Sequence, residues 1–199
     1  MEIEFKNKEI HLKRDTSELD KFVFETVKIV KKHTKYVIIS GYIAILFGRA
    51  RGTEDIDMFI ERIDFKTFEK MFDDLLENNM WCINGSNKRK MFDLLEDNLA
   101  IRFAKKDTVI PNFEIKFIKD IYSKYSLDNK IKVILNKEEL YTSLLEMQIP
   151  YKLKLGSEKD LEDATHLYVL FEKYLDMQKM KEIAKMLKVD LGVLNERLQ

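Results

Sequence analysis

Two aspartates one residue apart, Asp55 and Asp57, head an apolar run that continues through Met58, Phe59 and Ile60. Side chains alternate along an extended chain, so the pair shares one face of a strand whose other face carries Ile56 and Met58. Like charges set together in an apolar strand repel each other and are costly to desolvate, so the pattern calls for a compensating cation. A divalent ion, Mg2+ or Mn2+ carried with a nucleotide polyphosphate, meets that need. Upstream, Tyr36-Val37-Ile38-Ile39 ends at Ser40-Gly41, and Tyr42 to Phe47 reads as a short helix whose first N–H groups point back toward the turn, where an anion is welcome. The loop from Gly48 to Thr53 brings Arg49 and Arg51 between the two features. Turn and carboxylates together are equipment for phosphoryl transfer. The competing reading is that Asp57 is neutralised by Arg49 or Arg51 in a buried bridge.

The elements that must position these groups follow from periodicity. Residues 2–12 alternate as a hairpin or extended lead-in, and Asp15-Thr16-Ser17 offers an N-cap to a helix with Leu19, Phe22, Val23, Val27 and Val30 on one face. Tyr36 to Ile39 is a strand covered on both sides. Asp64 caps a helix to about Asn79 whose stripe Phe68, Met71, Phe72 and Leu75 is core. Trp81 to Ile83 is a short strand, Asn84-Gly85-Ser86 a turn, and Lys88 to Asp97 a helix. Leu99 to Phe103 and Phe113 to Ile118 form two strands joined through Asp107 to Pro111, and Ile131 to Leu135 forms another. From Glu138 onward the pattern is helical. The expected fold is α/β (α+β): a mixed sheet flanked by helices over residues 1–135, with a helical C-terminal subdomain, 136–199, closing the cleft.

Composition narrows the classes. Thirty-five basic residues balance thirty-five acidic ones, so no global field draws the chain to nucleic acid or membrane. Lys31-Lys32, Lys88-Arg89-Lys90 and Lys105-Lys106 are local basic clusters, and solvated faces are the plainer reading of each. The single cysteine, Cys82, excludes an intrachain disulfide and reads as a small buried residue. The acidic start Met1-Glu2-Ile3-Glu4 lacks a signal-peptide pattern and no apolar run approaches a membrane span, so a cytoplasmic setting is expected. His11, His33 and His166 have no ligand-spaced partners.

The order Ser40-Gly41, then Arg51-Gly52-Thr53-Glu54-Asp55-Ile56-Asp57, resembles the nucleotidyltransferase superfamily of polymerase-beta-like fold, whose signature is a GG or GS turn followed by DxD or DxE on the next strand. It is most similar to the abortive-infection type and minimal nucleotidyltransferases, many of which read R-x-T-x-D-[IV]-D. Lys152-Leu153 and Lys159-Asp160-Leu161-Glu162-Asp163 look like the downstream K-L and K-D-x-x-D helix of that group. The resemblance implies that Asp55 and Asp57 bind Mg2+ (or Mn2+) on an NTP, and that Asp57 helps set the acceptor oxygen. It implies that Ser40 and Gly41 hold the triphosphate, with Arg51 and Thr53 beside it, and that Lys159 reaches a phosphate or the acceptor. Asp160 and Asp163 cap or orient their helix. Glu114 best matches a third carboxylate, with Lys116 on the same strand face; an ion pair with Lys116 or a neighbour is an equal reading. Ser40 stands where a first glycine is usual, and a positive φ there would be strained. The implied activity moves a nucleoside monophosphate to an acceptor hydroxyl on RNA (a tRNA end among the choices), protein or a small molecule, as in toxin–antitoxin systems. The alternative is an inactive nucleotide-binding or regulatory, antitoxin-like module of the same fold.

Overall fold

The computed structural model describes residues 1–6 and 8–197; the expected turn at Asn7 and the last two residues of the expected C-terminal helix lie outside them. In chain order the elements are β1 Glu2–Lys6, β2 Glu9–Lys13, α1 Glu18–Val30, β3 Tyr36–Ile38, α2 Gly41–Leu46, β4 Asp55–Ile60 and α3 Phe65–Glu77. They continue with β5 Met80–Cys82, α4 Lys88–Glu96, β6 Ile101–Lys105, β7 Asn112–Phe117, α5 Ile121–Asp128, β8 Ile131–Leu135 and β9 Glu138–Thr142. Four helices close the chain: α6 Leu145–Leu155, α7 Glu158–Phe171, α8 Met177–Leu187 and α9 Gly192–Arg197.

Among the described residues the strands form one mixed sheet in the order β1-β2-β8-β9-β3-β4-β7-β6-β5. The central strands decide the site. β3 runs antiparallel to β4, so the turn after β3 emerges at the end of the sheet where β4 begins with Asp55. β4 and β7 are parallel, with Asp55 opposite Asn112 and Asp57 opposite Glu114. β6 returns antiparallel along β7 and sets Arg102 opposite Glu114. Period-two alternation then does what the sequence requires: Ile56, Met58 and Ile60 are fully buried, while Asp55 and Asp57 line the other face.

Local signals hold where they depend on a side chain near its own helix end. Ser17 caps α1 in a capping box with Asp20, and Asp64 caps α3. Phe68, Met71, Phe72 and Leu75 are buried, as is Cys82. The reading of a helical chain from Glu138 is corrected: β9 is a strand, antiparallel to β8 and bridged to β3 at Ile38–Thr142, and helices begin at Leu145. Five residues paired along β8, with one further bridge to β3, gain ladder hydrogen bonds that their modest helical preference cannot match. Helix α5, capped by Asp120 and Ser123, is an added element between β7 and β8. The basic clusters are paired faces, since Lys31 meets Glu139, Lys88 meets Asp73, Arg89 meets Asp93 and Lys105 meets Glu25. Among the described residues no helix is long and apolar enough to cross a membrane.

Candidate active site

The turn after β3 is strained and fully engaged. Ser40 has φ 66° and ψ −140°, a conformation that glycine adopts freely and L-residues rarely do. What holds it is Gln148 of α6, a fully buried amide. The Ser40 N–H donates to Gln148 Oε1 at 3.3 Å, and Gln148 Nε2 donates to the Ser40 carbonyl at 3.2 Å. The serine side chain makes no cap bond, and α2 is only six residues long. The Ser40 N–H expected to meet a phosphate is taken by a side chain, and the Arg51 guanidinium lies against Gly41. A Cβ on Gly41 would sit 3.1 Å from Arg51 Nη2 and push on the end of that side chain.

Arg51 is anchored at two points, its Nε donating to the Gly52 carbonyl and its Nη1 bonding Asp163 Oδ2. Its Nη2 has no hydrogen-bond partner among the described residues and faces the turn. Asp163, on α7, is completely buried and also pairs with Arg49 and with Lys152 Nζ, the latter at 3.0 Å. Arg49 further bonds Glu162 and the Lys159 carbonyl, and Lys152 also pairs with Asp160. Neither arginine bridges Asp57, so that competing reading is overturned: both are drawn to Asp163. Asp160 does bond Ser157 at the head of α7, whereas Asp163 is a hub that ties the helical region to the loop after α2. Burial alone would raise Asp160, but Lys152 and Ser157 hold its pKa below the usual carboxylate value.

Thr53 Oγ1 donates to the Asp55 carbonyl at 2.8 Å, fixing the chain as β4 starts. Asp55 opens onto a polar cleft of about 780 Å³ lined also by Arg49, Arg51, Gly52, Thr53, Glu54, Lys159 and Glu162. Lys159 is exposed there, on the first turn of α7. Asp57 lies deeper. Burial first, then the neighbouring Glu114 and Asp55 charges, raises its pKa, against the lowering effect of Lys116 and of the Ser40 hydroxyl. The stacked rings of Tyr122 and Tyr151, 3.8 Å apart, stand near enough to Asp57 for its charge to add to the burial that raises both phenols.

Glu114 is brought beside Asp57, as its place on the neighbouring strand requires, yet both of its oxygens are engaged. Oε1 pairs with Lys116 and Oε2 with Arg102. Burial alone would raise Glu114, but these two cations hold it below the usual value. Lys116 Nζ also stands 3.6 Å from Asp57 Oδ1. Burial alone would lower its pKa, and Glu114 and Asp57 instead raise it. Among the described residues no group of three His, Cys, Asp or Glu side chains is arranged to hold a metal ion. Asp55 and Asp57, sharing one face of β4, are the two residues that would hold an Mg2+ completed by phosphate oxygens and water, as that ion is commonly held at nucleotide sites. A three-carboxylate cage does not fit. Sequence reasoning missed Arg102 and Gln148. Counting back from the loop of the β6–β7 hairpin would have found Arg102 opposite Glu114; nothing local marks Gln148.

No family model matches the chain, and no curated protein matches it significantly. Among solved structures it is similar to an antigenic nucleotidyltransferase-like protein from Paracoccidioides brasiliensis, with a TM-score of 0.51 and 16% identity over 88% of this chain and 90% of that one. JHP933 from Helicobacter pylori aligns over 92% and 94% of the two chains, with a TM-score of 0.43 and 14% identity. The first likeness shows the fold: this chain shares the fold of that nucleotidyltransferase-like protein.

Proposed function

We propose that the protein is a nucleotidyltransferase, moving a nucleoside monophosphate from an NTP to an acceptor hydroxyl and releasing pyrophosphate. The observation that carries this is the cleft where Asp55, Arg51 and Lys159 meet at the edge of the Asp55–Asp57 strand. A cleft lined by both cations and carboxylates suits a polyphosphate chelating a divalent ion. Mg2+ would be held by Asp55 and Asp57, and it would neutralise charge on the transferring phosphoryl group. Arg51 Nη2 donates to a phosphate from its place over Gly41, and Lys159 answers it across the cleft. The acceptor oxygen forms its bond to the α-phosphorus while the bond to the bridging oxygen breaks and its electron pair leaves with pyrophosphate. Asp57, beside the bound ion, takes the acceptor proton. An RNA end, a protein hydroxyl and a small alcohol all fit as acceptor, and the even charge balance favours none of them.

One observation favours a second reading. The pairing of Glu114 with Arg102 and Lys116 is what a nucleotide-binding module without turnover would show. The test incubates the protein with Mg2+ or Mn2+, each α-labelled NTP, and total RNA or protein extract, beside an Asp55→Asn, Asp57→Asn double variant. Transfer that is lost in the double variant is expected. Transfer surviving both substitutions overturns the mechanism, and NTP binding without transfer to any acceptor selects the module.

A further inference from the structure

Resting on the nucleotide reading above, we infer that Lys116 is a built-in cation of the centre, filling the space between Asp57 and Glu114 so that the site takes one divalent ion per nucleotide. The register places it there. Glu114 and Lys116 are two residues apart on β7 and share a face, and Asp57 lies directly across the ladder from Glu114. The ammonium is ion-paired to Glu114 Oε1 and stands 3.6 Å from Asp57 Oδ1, while Arg102 takes Glu114 Oε2. An ion bridging Asp57 and Glu114 would need oxygen ligands at about 2 Å, in the volume the ammonium occupies.

Charge reaches the same total by either route. Three carboxylates with two divalent ions sum to one positive charge, the setting a triphosphate meets in a two-metal site. Here the three carboxylates Asp55, Asp57 and Glu114 are accompanied by two cations, Lys116 paired to Asp57 and Glu114 and Arg102 paired to Glu114, so a single divalent ion brings the same sum of one positive charge. Arg102 alone would satisfy a structural Glu114. Lys116 is set apart by reaching Asp57 as well, and a lysine is a compact point charge on a flexible stem, suited to standing in for an ion.

The experiment titrates the intact protein with Mn2+, followed by electron paramagnetic resonance of the free ion, alone and with an α,β-methylene analogue of ATP. With the analogue, wild type holds one Mn2+ per chain and Lys116→Met holds two. With Mn2+ alone, Lys116→Met binds at least about tenfold tighter than wild type, since an opposing charge within 4 Å is removed. Lys116→Arg keeps the charge and behaves as wild type, and Lys116→Gln replaces the methionine variant if circular dichroism shows that one unfolded. Two ions on the wild type, or equal Mn2+ affinity in wild type and Lys116→Met, overturns the inference. Failure of the analogue to bind any variant refutes the nucleotide reading, while the arm with Mn2+ alone still decides the role of Lys116.

Discussion

Removing the Asp163 carboxylate tests how the helical region is joined to the site. Asp163 is fully buried and faces three cations: Arg49, Arg51 Nη1 and Lys152 Nζ. In Asp163→Ala those cations confront one another, and the carboxylates remaining to them are Glu162 for Arg49 and Asp160 for Lys152. Breaking a buried ion pair by deleting one partner costs about 3–5 kcal/mol. Both arginines keep some exposure, at 15% and 16% of the side chain, so water relieves part of the repulsion and the lower end, about 3 kcal/mol, is expected. At ~2–4 °C per kcal/mol for a chain of this size, the melting temperature falls by about 6–12 °C. Urea unfolding should show the same loss as a lower midpoint with an unchanged slope. The repulsion itself is isolated by a cycle: Arg49→Met should cost less in the Asp163→Ala background than in wild type, by about 1 kcal/mol or more. A loss under about 1 kcal/mol, or strict additivity in the cycle, would refute the hub.

Ser40→Gly relieves a serine held at φ 66° and should raise stability by about 1 kcal/mol, a rise of ~2–4 °C in melting; an unchanged transition means no strain is stored there. Gly41→Ala pushes on the end of the Arg51 side chain and should cost little stability, but weaken binding of an NTP analogue about tenfold by isothermal titration, the loss of one charge-assisted hydrogen bond. Asp57 has a raised pKa, so its favourable contribution is full below the ordinary carboxylate value and is lost as pH rises through the raised one; Asp57→Asn should therefore melt higher than wild type at pH 7 while abolishing transfer. Asp20, Glu114 and Asp160 have lowered pKa values, so their contribution is present above about pH 4.5 and lost as pH falls below it. Circular dichroism should show acid unfolding setting in below that point, and a melting temperature constant from pH 5 to 3 would contradict the pairings.

What could be read from the sequence is what depends on near neighbours. Alternation in Asp55-Ile56-Asp57-Met58 fixed the shared face, and the caps Ser17 and Asp64 act within their own first turns. β9 was misread because Glu138-Glu139-Leu140-Tyr141 has no strand signature of its own; its partners lie in β8 and in β3, and pairing rather than propensity makes it extended. The convergence of Arg49 and Arg51 on Asp163 crosses more than a hundred residues of chain, and only the packing of α7 against α2 brings it about. Lys116 was legible as a residue and as a partner of Glu114, but its reach to Asp57 required the parallel register of β4 and β7.

These long-range contacts link the turn, the arginine loop and the helical region into one unit. Gln148 on α6 holds Ser40, Asp163 on α7 holds Arg51, and Arg51 lies on Gly41. A phosphate that accepts from Arg51 Nη2 leaves both anchors of that side chain in place and gains a positioned donor without reorganisation. A ligand that instead pulled Arg51 off Asp163 would strand a buried carboxylate and give back part of its own binding energy. On the proposed function, the geometry would select ligands that reach the turn at Gly41 and would couple their affinity to the packing of α6 and α7: whatever loosens the helical region would weaken the donor, and a bound anion would tighten the helical region in return.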